Sequence, residues 1–387
     1  MKLTLSHLIA AYSLLLLCWA STLHAKTEDK LQFSGFARVI MGYLDDKNAE
    51  YVGYENSISL NKQSLLGLQA DYLFTDDQRH SGLEWLYLSY APNNALQIKL
   101  GRQRIPFFNY SDSLDVGFAY PWITLPQQFY DTAFFTTFDG VLANYQFAVS
   151  DWLINYEGYW GRFDDKIYLA NDEINTQVIG LFGMNANFGY KNFTFRASYN
   201  QGDVSIEQEE AQQFSQQLRQ LGFSDNADWL DANGLIQFYQ LSANYENLDY
   251  FVRSEIAKLA SEGGLVAEID SFYISAGYNF YPYTVYISYS KKDLHFDHRR
   301  NEIPFGISPE LDFLASTYAS VLADFADDKS TGIKIGTRWD WRPHLAFKAE
   351  MTFLEAKDEI SNDYAVKDLG NFDGSAILYQ LGIEWVF

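Results

Sequence analysis

At the end of the chain Ile377, Tyr379, Leu381, Ile383, Trp385 and Phe387 occupy every second position, while Gln380, Gly382 and Glu384 take the positions between. A period of two places the sets on opposite faces of a β-strand. Similar segments of about ten residues recur back along the chain, separated by turn residues, the pattern of a transmembrane β-barrel with one face to lipid and one to the lumen. From residue 138 the pattern predicts eleven strands, at about 138–149, 152–163, 174–189, 193–201, 234–246, 249–260, 268–280, 284–293, 330–340, 345–357 and 374–387. Earlier candidates are 31–44, 51–60, 64–73, 82–91 and 95–104, the weakest being 51–60, where Glu55 and Asn56 interrupt the alternation. With both termini at one rim the number of strands is even. Five early strands make sixteen, with fourteen and eighteen left open.

Links near Ser150–Asp151, Tyr190–Asn192, Glu246–Leu248, Tyr281–Tyr283 and Trp341–His344 are short. Long ones fall at about 105–137, 164–173, 202–233, 294–329 and 358–373, with a smaller one at 261–267. Short links belong at the periplasmic rim and long ones outside. Ser308, Pro309 and Glu310, ahead of Leu311, Leu314, Tyr318 and Leu322, predict an N-capped helix. A second helical stretch, Ile206 to Leu221, puts Phe214, Leu218 and Leu221 on one face. Packing of these loops on each other is the preferred reading over a cover for the pore mouth.

The start of the chain reads differently. Lys2, an apolar run from Leu8 to Ala20, then Ser21, Thr22 and Ala25 form a secretory signal with cleavage expected after Ala25 or, second, Ala20. The run is too short to span a bilayer as a helix, which takes about 20 apolar residues. Bulky Leu17 before Cys18 argues against lipidation. The expected organisation is therefore a signal peptide over 1–25 and one all-β, antiparallel barrel over 26–387. Cys18 is the single cysteine, so the remainder has no disulfide framework.

Composition supports the barrel. Aromatic residues make up 17% of the chain, with 28 Tyr, 30 Phe and 9 Trp; a membrane barrel uses them as girdles where lipid meets water. A net charge of −22 excludes a nucleic-acid partner. Strand parity nevertheless assigns Arg38, Lys99, Arg196, Arg253, Lys334, Arg338 and Lys348 to the lumen, against Glu157, Glu255, Glu350 and Glu384. An inner wall with more bases than acids favours anions; mutual pairing across the lumen is the equally weighted alternative. Most negative charge lies in loops, among them Glu207, Glu209, Glu210, Asp225, Asp228 and Asp231.

The segment from Gly101 to Trp122 is too apolar and aromatic for a solvated loop, and its acids and prolines argue against a strand. Folding inward satisfies both. Leu100-Gly101-Arg102-Gln103 leading into a long loop resembles the strand before the constriction loop of Gram-negative porins. Tyr110-Ser111-Asp112-Ser113-Leu114-Asp115-Val116-Gly117 and Tyr120-Pro121-Trp122 look like a gammaproteobacterial porin subgroup allied to the phosphate-selective type. The likeness covers about 31–125, and the stretch between Phe74 and Leu83 is shorter than the subgroup implies. It implies a loop lying in the lumen, with Tyr110, Asp112 and Asp115 at a constriction facing Arg102, Arg104 and Arg38. It also implies a homotrimer in the outer membrane, in contact with lipid and lipopolysaccharide, passing small hydrophilic solutes. Phosphate preference does not carry over, because the lysine-rich loop expected for it is missing.

Catalysis has little to stand on. His80, His295, His298 and His344 sit beside no nucleophile motif such as Gly-x-Ser-x-Gly. His295 and His298 with Asp297 are read as loop residues rather than a metal site, and no cofactor is expected. The reading is a porin. A plugged barrel acting as a surface adhesin is the alternative, ahead of a lipid-acting enzyme.

Overall fold

A computed structural model describes residues 31–72, 86–132, 135–169, 172–297, 301–356, 365–366 and 372–387. The expected signal peptide lies outside the described residues. Fifteen antiparallel strands form one sheet. They are β1 (Leu31–Leu44), β3 (Leu65–Tyr72), β4 (Leu86–Asn93), β5 (Leu96–Arg104), β6 (Thr137–Val149), β7 (Trp152–Leu169), β8 (Asp172–Tyr190) and β9 (Phe193–Ile206), followed by β10 (Gly234–Glu246), β11 (Tyr250–Ser261), β12 (Glu268–Phe280), β13 (Tyr283–His295), β14 (Asp328–Arg342), β15 (Leu345–Ala356) and β17 (Ser375–Val386). Two short pieces, β2 (Ala49–Glu50) and β16 (Ala365–Val366), pair separately.

Except for β3 and β4, strands consecutive along the chain pair in the sheet, and β1 pairs with β17 from Phe36↔Val386 to Leu44↔Leu378, which curls the sheet into a barrel. Its two edges are β3 and β4. Both strands run toward the short-turn rim, as their pairings with β1 and β5 require. Residues 73–85, between them in sequence, lie outside the described residues.

The expected alternation is realised. Leu241, Ile256, Ile274, Ile287, Ile335 and Leu381 are about half exposed on one face. Their neighbours Gln240, Glu255, Ser275, Ser288, Lys334 and Gln380 are buried on the other. Aromatic side chains form a belt at the short-turn rim, through Trp152 and Tyr190 (4.9 Å between ring centres), Phe193 and Tyr245 (4.8 Å), Phe280 and Tyr283 (5.7 Å), and Trp339 and Phe347 (5.4 Å).

Two expectations are corrected. Residues 51–60 are not a strand: Val52 and Gly53 both have positive φ (45° and 82°), and Tyr51 and Tyr54 bond each other's backbone across them. That tight turn folds back into the barrel, where Tyr54 packs so closely on β1 that a Cβ at Gly42 would lie 2.4 Å from its ring. Tyr51, Tyr54, Ile40, Leu44, Leu354 and Leu378 share one buried cluster. The loop expected at 164–173 is mostly strand, because β7 and β8 continue pairing to Leu169↔Asp172.

Helix α4 (Pro309–Asp324) begins at Ser308, whose Oγ accepts from the Leu311 amide at 3.3 Å. The other helical loop contains α2 (Glu209–Gln220) and α3 (Ser224–Trp229). The two loops pack on each other through Leu218, Ala227, Trp229, Leu314 and Tyr318. Leu221, expected on the packed face, is instead 51% exposed.

Candidate functional site

Residues 105–136, described except for 133–134, fold into the barrel rather than away from it. They contain two 3-10 turns, Ser111–Ser113 and Gly117–Ala119, and the short helix α1 (Gln127–Tyr130). The segment carries Phe107, Phe108, Tyr120, Trp122, Phe129 and Tyr130, all buried, against Phe138, Tyr159, Phe238, Tyr273 and Tyr286 of the wall. Fully burying one such side chain contributes about 1.5–3 kcal/mol. Trp122 meets Tyr273 edge to face with centres 6.0 Å apart, and its indole N–H donates to Ser288 Oγ at 2.8 Å.

Polar wall residues complete the attachment by reaching the segment's backbone. Lys348 Nζ donates to the carbonyls of Gly117 (2.7 Å), Tyr120 (2.8 Å) and Trp122 (2.7 Å), and pairs with Glu384 at 2.5 Å. Lys334 donates to Thr124 O (2.9 Å) and Oγ1 (2.7 Å) and pairs with Glu350 at 2.9 Å. Arg338 donates to the carbonyls of Phe118 (2.7 Å) and Tyr120 (3.1 Å). Arg38 bonds the Ile123 carbonyl and lies 3.3 Å from Glu384, while Arg196 bonds the Pro106 carbonyl.

Two wall carboxylates hold donors from the segment. Glu255 accepts from the Asn109 amide (3.1 Å), from Tyr130 OH, and from Tyr273 OH of the wall (2.8 Å). Glu350 accepts from the Ile123 amide (3.2 Å), from Thr124 Oγ1 (3.2 Å), and from Tyr286 OH of the wall (2.7 Å). Burial of these carboxylates is offset by the Lys334 ion pair at Glu350 and by hydrogen bonds at both. Gly117 is required by closeness: a Cβ there would lie 2.2 Å from Glu384 Oε1.

The remaining expected site residues separate into groups. Arg104 and Asp115 form an ion pair, and Arg253 pairs with Glu246 at 2.8 Å beneath Tyr110, 5.9 Å from its ring centre. Burial pushes the Tyr110 phenol up to about 12. Asp112 is exposed on the segment, and Lys99 lies over the Tyr87 ring at 5.1 Å. Arg102 faces elsewhere. It grips Asp139 at 3.0 and 3.1 Å, on the strand parity of exposed Leu100 and Val141, and both side chains are about 40% exposed.

Beside the segment a recess of about 350 Å³ opens toward β3, lined by Arg38, Lys62, Gln63, Asp115, Gln127 and Asp131 among others. The structure thus combines a lipid-facing apolar band, a polar interior and a chain segment lying across that interior. Residues 10–367 match the family model described as Gram-negative porin. The chain belongs to that family.

The porin is an outer-membrane channel for passive diffusion. Its fold is similar to that of OmpT lacking loop L8, from Vibrio cholerae, at 12% identity and a TM-score of 0.55, covering 93% of this chain and 100% of that one. An anion-selective porin from Comamonas acidovorans is 13% identical with a TM-score of 0.55, covering 92% and 99%. The outer-membrane channel DcaP of Acinetobacter baumannii is 10% identical, again at 0.55, covering 92% and 97%. No curated protein matches the chain by sequence. Sequence reasoning missed the backbone carbonyls of the inserted segment, which carry no side-chain signature, and the turn at 51–54.

Proposed function

We propose that this porin passes small hydrophilic solutes through a lumen whose width is set by residues 105–136, with Tyr110, Asp112 and Asp115 on the constricting side. The observation that supports this reading is the fixing of that segment by Lys334, Lys348, Arg338 and Arg38 through its own carbonyls. These cations act mainly as anchors. Asp115, Glu246 and Asp340 pair with Arg104, Arg253 and Arg338, offsetting the excess of bases over acids that parity implied. Ionic selectivity is accordingly weak, and size decides passage.

The functional protein is a homotrimer in contact with lipopolysaccharide, exported with cleavage after Ala25 or Ala20, and it performs no catalysis. Proteoliposomes loaded with the refolded protein and challenged with neutral sugars of rising size test the reading. Swelling that falls steeply with sugar size supports it. Absence of swelling for the smallest sugars would favour the plugged adhesin.

A further inference from the structure

Outside the barrel, near the long-loop rim, register aligns Tyr239, Lys258, Asp270, Asp293 and Lys329 in one row across β10 to β14. These side chains share the strand parity of Leu241, Ile256, Phe272, Tyr289 and Ile333, so they point toward lipid. Facing lipid, a lysine costs ~2–4 kcal/mol at the bilayer midplane but ~0–1 kcal/mol near the interface. The row therefore marks the head-group level. Lys258 lies 3.5 Å from Asp270 and 3.7 Å from Glu268, Lys291 lies 2.6 Å from Asp293, and Lys329 lies 3.8 Å from Asp293.

Directly below the row, a groove of about 290 Å³ runs along the outer surface, lined by Tyr239, Leu241, Ile256 and Phe272 with Lys258 and Lys291 at its head. Lys258 is 47% exposed and its two ion pairs are long, leaving ammonium donors for a further acceptor. An apolar channel at chain depth under cations at head-group depth has the dimensions and chemistry of one lipid.

Resting on the outer-membrane reading, we propose that the outward face of β10–β13 binds a phosphorylated lipid of the outer leaflet. Its phosphate sits at Lys258 and Lys291, and one acyl chain lies in the groove between Leu241 and Phe272. The test titrates refolded protein in detergent with lipid A, with retained lipid counted by native mass spectrometry and single-channel conductance recorded in parallel. Lys258→Gln/Lys291→Gln should retain about thirtyfold less lipid A, the effect of two basic residues at an anionic surface. Leu241→Trp fills the groove, keeps both lysines and should also lose retention. Both variants should conduct like the unaltered protein, and inorganic phosphate should not displace the lipid. Equal retention by all three proteins, or equally tight retention of a non-ionic glycolipid, would overturn the proposal. Displacement by inorganic phosphate would reduce the site to a simple anion site and overturn the role of the groove. Retained lipid without any conductance would instead refute the channel reading and leave this site standing.

Discussion

Lys348→Met removes one ammonium while keeping nearly the same length of side chain. Three carbonyls of the inserted segment, at 2.7, 2.8 and 2.7 Å, lose their common donor, and Glu384 is left with Arg38, 3.3 Å away, as its ion-pair partner among the described residues. Removing one member of a buried ion pair costs about 3–5 kcal/mol. Each carbonyl left without a donor adds up to about 1–3 kcal/mol unless lumen water replaces it. Taking about 3–5 kcal/mol as the net loss, the balance between seated and displaced segment shifts by a factor of roughly a hundred to several thousand. Single-channel recording should then show flicker to a larger conductance, and hydrogen exchange should rise at 117–123 while the strands stay protected. A quiet trace at the original conductance, with unchanged exchange over 117–123, would refute the anchoring argument.

Gly117→Ala should displace the segment from β17, because its Cβ would meet Glu384 Oε1 at 2.2 Å; overpacking of this kind costs about 1–3 kcal/mol and is read as a lower urea midpoint. Ser308→Ala should cost about 1 kcal/mol of helix stability by loss of the cap on α4, seen as faster proteolysis within 301–327 with conductance unchanged. Arg102→Ala should change stability by less than about 1 kcal/mol, as the pair with Asp139 is well exposed, and should leave reversal potential where it was. The Tyr110 phenol titrates near 12 in the folded state against an ordinary 10.0. A raised value stabilises the seated segment below pH 10 and loses that contribution as pH climbs toward 12, so alkaline loosening should be smaller in Tyr110→Phe.

Strand positions were legible because period two and turn residues agree; β10 and β12 begin and end where alternation places them. The Ser308 cap was equally plain, since a cap is local chemistry. Residues 51–60 resemble a strand because Val52, Tyr54, Ile58 and Leu60 share one parity, while the positive φ of Val52 is a tertiary outcome. In the site, inward lysines and arginines could be named from parity alone. Their partners could not, because Lys348 and Lys334 end on backbone carbonyls more than 200 residues away in sequence. Arg102 shows the limit of the family likeness: proximity in sequence to the inserted segment suggested a lumen role, but its parity with Leu100 carries it to Asp139.

The central claim is that residues 105–136 set the width of an open outer-membrane channel. The direct measurement is single-channel conductance of the protein beside a version in which 107–131 is replaced by a short Gly-Ser link. The account predicts stable steps for the unaltered protein and larger steps for the shortened one, with a reversal potential close to zero in both under a KCl gradient. Steps of equal size, or no steps in either protein, would contradict it.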